Sequence, residues 1–136
     1  MVVALEPGGV CQGIVYGIDP GQETEIMSYL DDREGAGYNR VEVTVEVAHN
    51  GSPASFSAQT YFPVVHHPTH APDLPIAKKV ALIATGCGIS GTAYEYLVNL
   101  LKELETLGIQ DEDLHATLTH VEAYRRDHSI SKSQPV

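Results

Sequence analysis

The hydrophobic pattern along the chain changes period partway through. Val41, Val43, Val45 and Val47 alternate with Glu42, Thr44 and Glu46, the period-two signature of a strand with one face turned to a core. Asn50-Gly51-Ser52-Pro53 follows as a turn, and Ala54 to Val65 reads as the returning strand. Phe56, Ala58, Thr60 and Phe62 fall on one face of that strand, with Tyr61 on the other. Two further strands are predicted upstream: Met1 to Leu5, and Val10 to Ile18 after a turn at Pro7-Gly8-Gly9. Gly13 and Gly17 within the second point to a bulge or a close backbone approach.

Asp19-Pro20-Gly21 closes that strand, and a short helix is predicted from about Gln22 to Arg33. Glu23 and Glu25 suit its first turn, and Ile26, Met27 and Leu30 form its buried stripe. Gly35-Ala36-Gly37 breaks it. His66 to Leu74, with three His and two Pro, reads as an irregular connection. Beyond it the apolar positions recur every three or four residues. One helix is predicted from Asp73 or Leu74 to Ala84, with Pro75 in its first turn. A second runs from Ser90 to just before Gly108, with Leu97, Leu100, Leu101, Leu104 and Leu107 inward. Asp111 caps a third, reaching about Asp127, with Leu114, Leu118 and Val121 inward. Strands first and helices later predict an α+β fold. Ser129 to Val136 reads as a polar, mobile tail.

Composition narrows the functional classes. A chain of 136 residues supports one domain with a sizeable core. Its 8 Lys+Arg against 18 Asp+Glu leave a net charge of −10, which argues against a nucleic-acid backbone or an anionic membrane as partner. Apolar runs such as Val80 to Ala84 are far too short to span a bilayer. Met1-Val2-Val3-Ala4-Leu5 has no basic region of the kind that opens a secretory leader. Two cysteines, Cys11 and Cys87, cannot form a disulfide framework, so a reducing, cytoplasmic setting is expected and each thiol is expected to be buried and inert.

Three local patterns invite a chemical reading. Gly86-Cys87-Gly88-Ile89-Ser90-Gly91 is a literal G-x-G-x-x-G before a strong helix, the order a dinucleotide-binding turn requires. After Leu107, however, only Gly108-Ile109-Gln110 precedes Asp111-Glu112-Asp113, which leaves no second parallel strand. A plain helix–turn–helix is the expectation. His66, His67 and His70 are crowded, but Pro68 keeps them off a common helical face, and no H-E-x-x-H or C-x-x-C supports them or His115 and His120 as metal ligands. Solvated loop histidines are expected, with no metal. The third pattern is Tyr29-Leu30-Asp31-Asp32-Arg33-Glu34-Gly35-Ala36-Gly37-Tyr38. It reads either as a solvated helix end or as a site: Glu34 stands at the end of a helix where the dipole favours a cation, and the glycines beside it allow close approach. A carboxylate so placed and partly shielded from water is suited to accept a proton near neutral pH.

That block resembles the ChaC-type γ-glutamylcyclotransferases, whose members carry Y-L-D-x-R-E followed by a glycine pair and Tyr. Tyr29-Leu30-Asp31-Asp32-Arg33-Glu34 and Gly37-Tyr38 match it. Gly13-Ile14-Val15-Tyr16 resembles the family's G-V-A-Y strand, and Gly88, Ser90, Gly91, Glu95, Tyr96 and Leu97 match its G-P-S-G-x-N-x-E-Y-L, with Ile89 for Pro and Ala93 for Asn. The resemblance spans about Gly13 to Asp113. It implies a small mixed or antiparallel barrel-like sheet packed with helices. It also implies release of 5-oxoproline from a γ-glutamyl peptide, typically glutathione, leaving Cys-Gly. Glu34 matches the family's catalytic glutamate, Glu25 a second glutamate, and Tyr61 a pocket tyrosine; with Tyr38 these are the implied substrate-side residues. No cofactor is implied.

The chain departs from the family in two places. It has no Y-G-S-L, the loop whose backbone N–H groups hold the γ-glutamyl group, and Thr69-His70-Ala71-Pro72 replaces the family's Y-L-G segment. The resemblance therefore implies a single domain over residues 1–128 lacking the family's first strand. An exposed sheet edge of that kind favours self-association, which leaves a homodimer open. A second reading follows: a catalytically impaired relative acting as a binding or dimerising scaffold.

Overall fold

The computed structural model describes residues 3–49 and 52–130. They form two compact units, one over Val3–Ala71 and one from Pro72 onward, and the class is α+β.

The first unit holds a helix and a hairpin. Asp19 starts the helix: its carboxylate accepts from the Gly21 N–H at 2.8 Å and its carbonyl from the Gln22 N–H at 2.8 Å. Helix α1 follows over Glu23–Glu34 with Glu23 and Glu25 in its first turn. Its inward stripe is Ile26, Met27, Leu30 and Glu34, all half-buried and none fully so. A single 3-10 turn, Gly35–Gly37, leads into β1 (Tyr38–His49). Strand β2 (Ser52–Pro63) returns antiparallel in the register Val41 to Thr60, Val43 to Ala58 and Val45 to Phe56. The expected alternation holds over the later part of β1, where Val43, Val45 and Val47 are half-buried while Glu42, Thr44 and Glu46 face solvent, but Val41, also expected inward, is exposed. The expected turn at Asn50-Gly51 lies outside the described residues.

The upstream strands do not form. Val3 to Leu5 and Val10 to Ile18 join no ladder, although the turn between them is present; Met1 and Val2 lie outside the described residues. Val10 is 97% exposed and Tyr16 79%. Apolar, β-prone sequence makes a strand only where another strand accepts its N–H and C=O groups. No such partner stands beside these segments among the described residues.

The second unit is a three-helix core. Helix α2 (Ile76–Thr85) begins one residue after Pro75, which sits in extended geometry ahead of the helix rather than in its first turn. Its Val80, Ile83 and Ala84 pack with Ala93, Leu97 and Leu101 of α3 (Ala93–Thr106) and with Val121 of α4 (Glu112–Asp127). Leu97 and Val121 are wholly excluded from solvent. Leu107 falls just past the end of α3 and is exposed instead of inward. The Thr92 hydroxyl accepts from the Glu95 N–H, and Glu95 accepts from the Thr92 N–H, a reciprocal cap on α3. Asp111 caps α4 by accepting from the Leu114 N–H at 2.9 Å. Ile130 packs on the same core.

Between α2 and α3, β3 (Cys87–Gly88) pairs with β4 (Gly91–Thr92). A Cβ at Gly86 would lie 2.6 Å from the Leu82 carbonyl oxygen, so only glycine fits there. The G-x-G-x-x-G is thus a tight joint between two helices, as the helix–turn–helix reading expects. Cys87 and Cys11 are both exposed, contrary to the expected burial, since each sits in a segment with little packed around it.

Candidate functional site

The end of α1 and one face of the hairpin meet in the first unit. The Tyr61 hydroxyl donates to Asp31 Oδ1 at 2.7 Å, and Arg40 Nη1 pairs with Asp31 Oδ2 at 3.3 Å. Arg40 and Tyr61 stand directly opposite in the ladder, so their side chains share a face. Tyr38, two residues before Arg40 and paired with Pro63, is on that same face. Its Cα is therefore roughly 7–8 Å from that of Tyr61 as a diagonal neighbour.

Partial burial raises the Tyr61 phenol above its ordinary pKa; the hydrogen bond and the charge of Asp31 raise it further, and the Arg40 guanidinium opposes them. The phenol is protonated at neutral pH.

Glu34 lies one turn beyond Asp31 on the same flank of α1, which places the two Cβ atoms about 5–6 Å apart. Among the five carboxylates of α1 it alone is half-buried. Asp31 is held by two partners, whereas the Glu34 carboxylate has no hydrogen bond or ion pair among the described residues. The next residue, Gly35, has φ 63° and ψ −162°, a conformation that is essentially confined to glycine. It turns the chain directly into Tyr38. Beside this turn the His67 ring lies 3.7 Å from where a Cβ on Gly37 would be.

The structure thus brings Glu34, Tyr38 and Tyr61 to one neighbourhood and leaves Glu25 apart. Glu25 is exposed, nine residues before Glu34. That is two and a half turns, about 13 Å along the axis and on the opposite flank. Local sequence pattern alone does not mark Asp31 or Arg40 as site residues. Asp31 was legible as part of the Y-L-D block; Arg40 becomes visible once the register sets it opposite Tyr61. No group of three or more His, Cys, Asp or Glu side chains able to hold a metal occurs among the described residues. No helix among them is long and apolar enough to cross a membrane.

A family model described as ChaC-like protein matches residues 1–124. The chain belongs to the ChaC-like family. It is 32% identical over 107 residues to a glutathione-specific γ-glutamylcyclotransferase of Schizosaccharomyces pombe, an alignment covering 77% of this chain and 52% of that protein. The selenomethionine-labelled crystal structure of a yeast γ-glutamylcyclotransferase specific to glutathione superposes with a TM-score of 0.69 at 27% identity, covering 82% of this chain and 58% of that one. A second crystal structure of such a yeast enzyme gives 0.66 at 25% identity, over 79% and 58%. The chain therefore has a γ-glutamylcyclotransferase-like α+β fold and spans about half the length of the curated relative it matches.

Proposed function

We propose that this chain is a γ-glutamylcyclotransferase acting on glutathione, with Glu34 as its general acid–base. The observation that carries this reading is the position of Glu34. It is the carboxylate on the half-buried stripe of α1, at the negative end of the helix dipole, with no partner among the described residues. The family and the glutathione-specific relatives support the choice of reaction and substrate.

In this reading Glu34 takes a proton from the substrate's α-ammonium. The freed amine attacks the γ-carbonyl carbon and forms the lactam C–N bond. The bond to the cysteinyl nitrogen then breaks, and the two protons that the attacking nitrogen sheds, one as it becomes an amine and one as it becomes the lactam N–H, pass by way of Glu34 to the leaving nitrogen, which departs as the Cys-Gly ammonium. Glutathione becomes 5-oxoproline and Cys-Gly, and the balance requires no water, metal or organic cofactor. The enzyme's contribution is to hold amine and carbonyl in register and to relay the proton. Tyr38 and Tyr61 are placed on the substrate's side of this reaction, and Glu25, remote from Glu34, acts on affinity rather than on proton transfer. The exposed free thiols Cys11 and Cys87 support a reducing, cytoplasmic setting.

The test is incubation of the purified protein with glutathione and chromatographic measurement of 5-oxoproline and Cys-Gly. E34Q, similar in shape but unable to carry the proton, is expected to lower the rate by about 100-fold or more. A wild-type protein that forms no product, or E34Q with full activity, overturns the reading.

A further inference from the structure

Tyr61 has a single hydroxyl proton, and the structure commits it to Asp31. The Asp31 carboxylate is itself turned toward the hairpin by Arg40, so the three side chains form a set with no net charge: one carboxylate, one guanidinium and one neutral phenol. Asp31 and Arg40 keep 45% and 38% of their side-chain surface open, so a small ligand can reach the set from solvent. Arg40 also approaches the phenol oxygen, but a phenol oxygen has more than one acceptor direction. What Tyr61 presents is therefore a lone pair and no proton.

We propose that Tyr61 recognises a hydrogen-bond donor of the substrate, its α-ammonium, and that Asp31 and Arg40 are positioning residues that fix the phenol in this accepting role. This rests on the cyclotransferase reading and deepens it. An ammonium held by Tyr61 stands beside the end of α1, within one helical turn of Asp31, where Glu34 is placed to take its proton. A carboxylate set on the phenol itself would face its lone pair, and the donor beside it, the Arg40 guanidinium, is already paired with Asp31. The raised pKa of the phenol, from burial and then from Asp31, is consistent with a hydroxyl that keeps its proton. Without Asp31 the proton is released, and the hydroxyl can turn to donate instead.

The experiment measures ligand affinity by calorimetry in the E34Q background, where turnover is suppressed. Three probes separate the chemistry: glutathione, glutaryl-Cys-Gly, which lacks the α-ammonium, and γ-aminobutyryl-Cys-Gly, which keeps the ammonium and lacks the α-carboxylate. Adding D31A or Y61F is expected to weaken glutathione and γ-aminobutyryl-Cys-Gly by about tenfold, the scale of one hydrogen bond to a charged group. Binding of glutaryl-Cys-Gly is expected to stay within about twofold, since it never makes that contact. D31N, which keeps an oxygen able to accept the phenol proton, is expected to restore most of the affinity lost in D31A.

Equal weakening of all three probes makes Asp31 merely structural and overturns the proposal, as does sensitivity that follows the carboxylate instead of the ammonium. Wild-type protein that binds glutathione with this ammonium dependence and forms no 5-oxoproline overturns the reaction but keeps the recognition. Product formation with affinities indifferent to D31A and Y61F does the reverse. Absence of all binding overturns both.

Discussion

Arg125 donates from Nη1 to the Ala84 carbonyl oxygen at 2.7 Å, linking the last turns of α4 and α2 from within the core. The guanidinium also lies 4.4 Å from the centroid of the Tyr94 ring, so one buried cation ties all three helices together. Arg125→Met keeps much of the aliphatic volume but removes both contacts and leaves a buried carbonyl without this donor. The expected loss is about 2–4 kcal/mol in urea denaturation. Arg126→Ala, one position on at an exposed site, is expected to stay within about 0.5 kcal/mol.

Leu97 and Leu107 belong to the same leucine-rich pattern but have opposite surroundings, at 0% and 45% exposure. Leu97→Ala is expected to destabilise by about 2–5 kcal/mol through lost burial and an internal cavity. Leu107→Ala is expected to change stability by less than about 0.5 kcal/mol. Denaturant midpoints measured at constant slope decide between a long inward stripe and one that ends within α3.

The cap on α3 carries a pH dependence. The Thr92 backbone N–H and its hydroxyl hold the Glu95 carboxyl below its ordinary value of 4.5, partly opposed by desolvation and aided by the charge of Arg125. Because the folded state prefers the ionised form, this contribution is complete above the unfolded value and is lost as pH falls through the lowered folded one. Thermal melts between pH 7 and pH 3 should therefore show a smaller drop for Glu95→Gln than for wild type. Thr92→Ala is expected to reduce stability by about 1 kcal/mol at neutral pH.

Gly35 turns the chain immediately after Glu34 in a conformation costly for any other residue. Gly35→Ala is expected to destabilise by about 1–3 kcal/mol and to lower kcat for 5-oxoproline release, because strain there shifts the end of α1. An Ala variant with wild-type stability and rate would show that the turn relaxes without effect on the site.

Glu25 and Glu34 share a helix but sit on opposite flanks of it. Glu25→Gln is expected to leave kcat within about twofold and to act on KM, while Glu34→Gln loses about 100-fold or more in kcat. Similar kcat losses in both would place Glu25 in the proton relay despite the separation.

What the sequence by itself determined is everything carried by local period and short-range capping. The β1–β2 alternation, the α1 stripe, the Asp111 cap and the break at Gly35–Gly37 depend on residues a few positions apart. The family block ending in Glu34 was legible for the same reason. Tertiary structure decided what depends on distant partners. Val10 to Ile18 has strand composition, yet among the described residues no strand stands beside it to complete a ladder, so it stays open. Periodicity extended the α3 stripe to Leu107, but the helix ends at Thr106 and leaves that side chain in solvent. Only the hairpin register sets Arg40 opposite Tyr61, and only the approach of α1 brings Asp31 to both. Asp31 and Tyr61 are 30 positions apart, and no local preference specifies a hydrogen bond over that distance. It exists because the turn after Glu34 lays the end of the helix against the hairpin face.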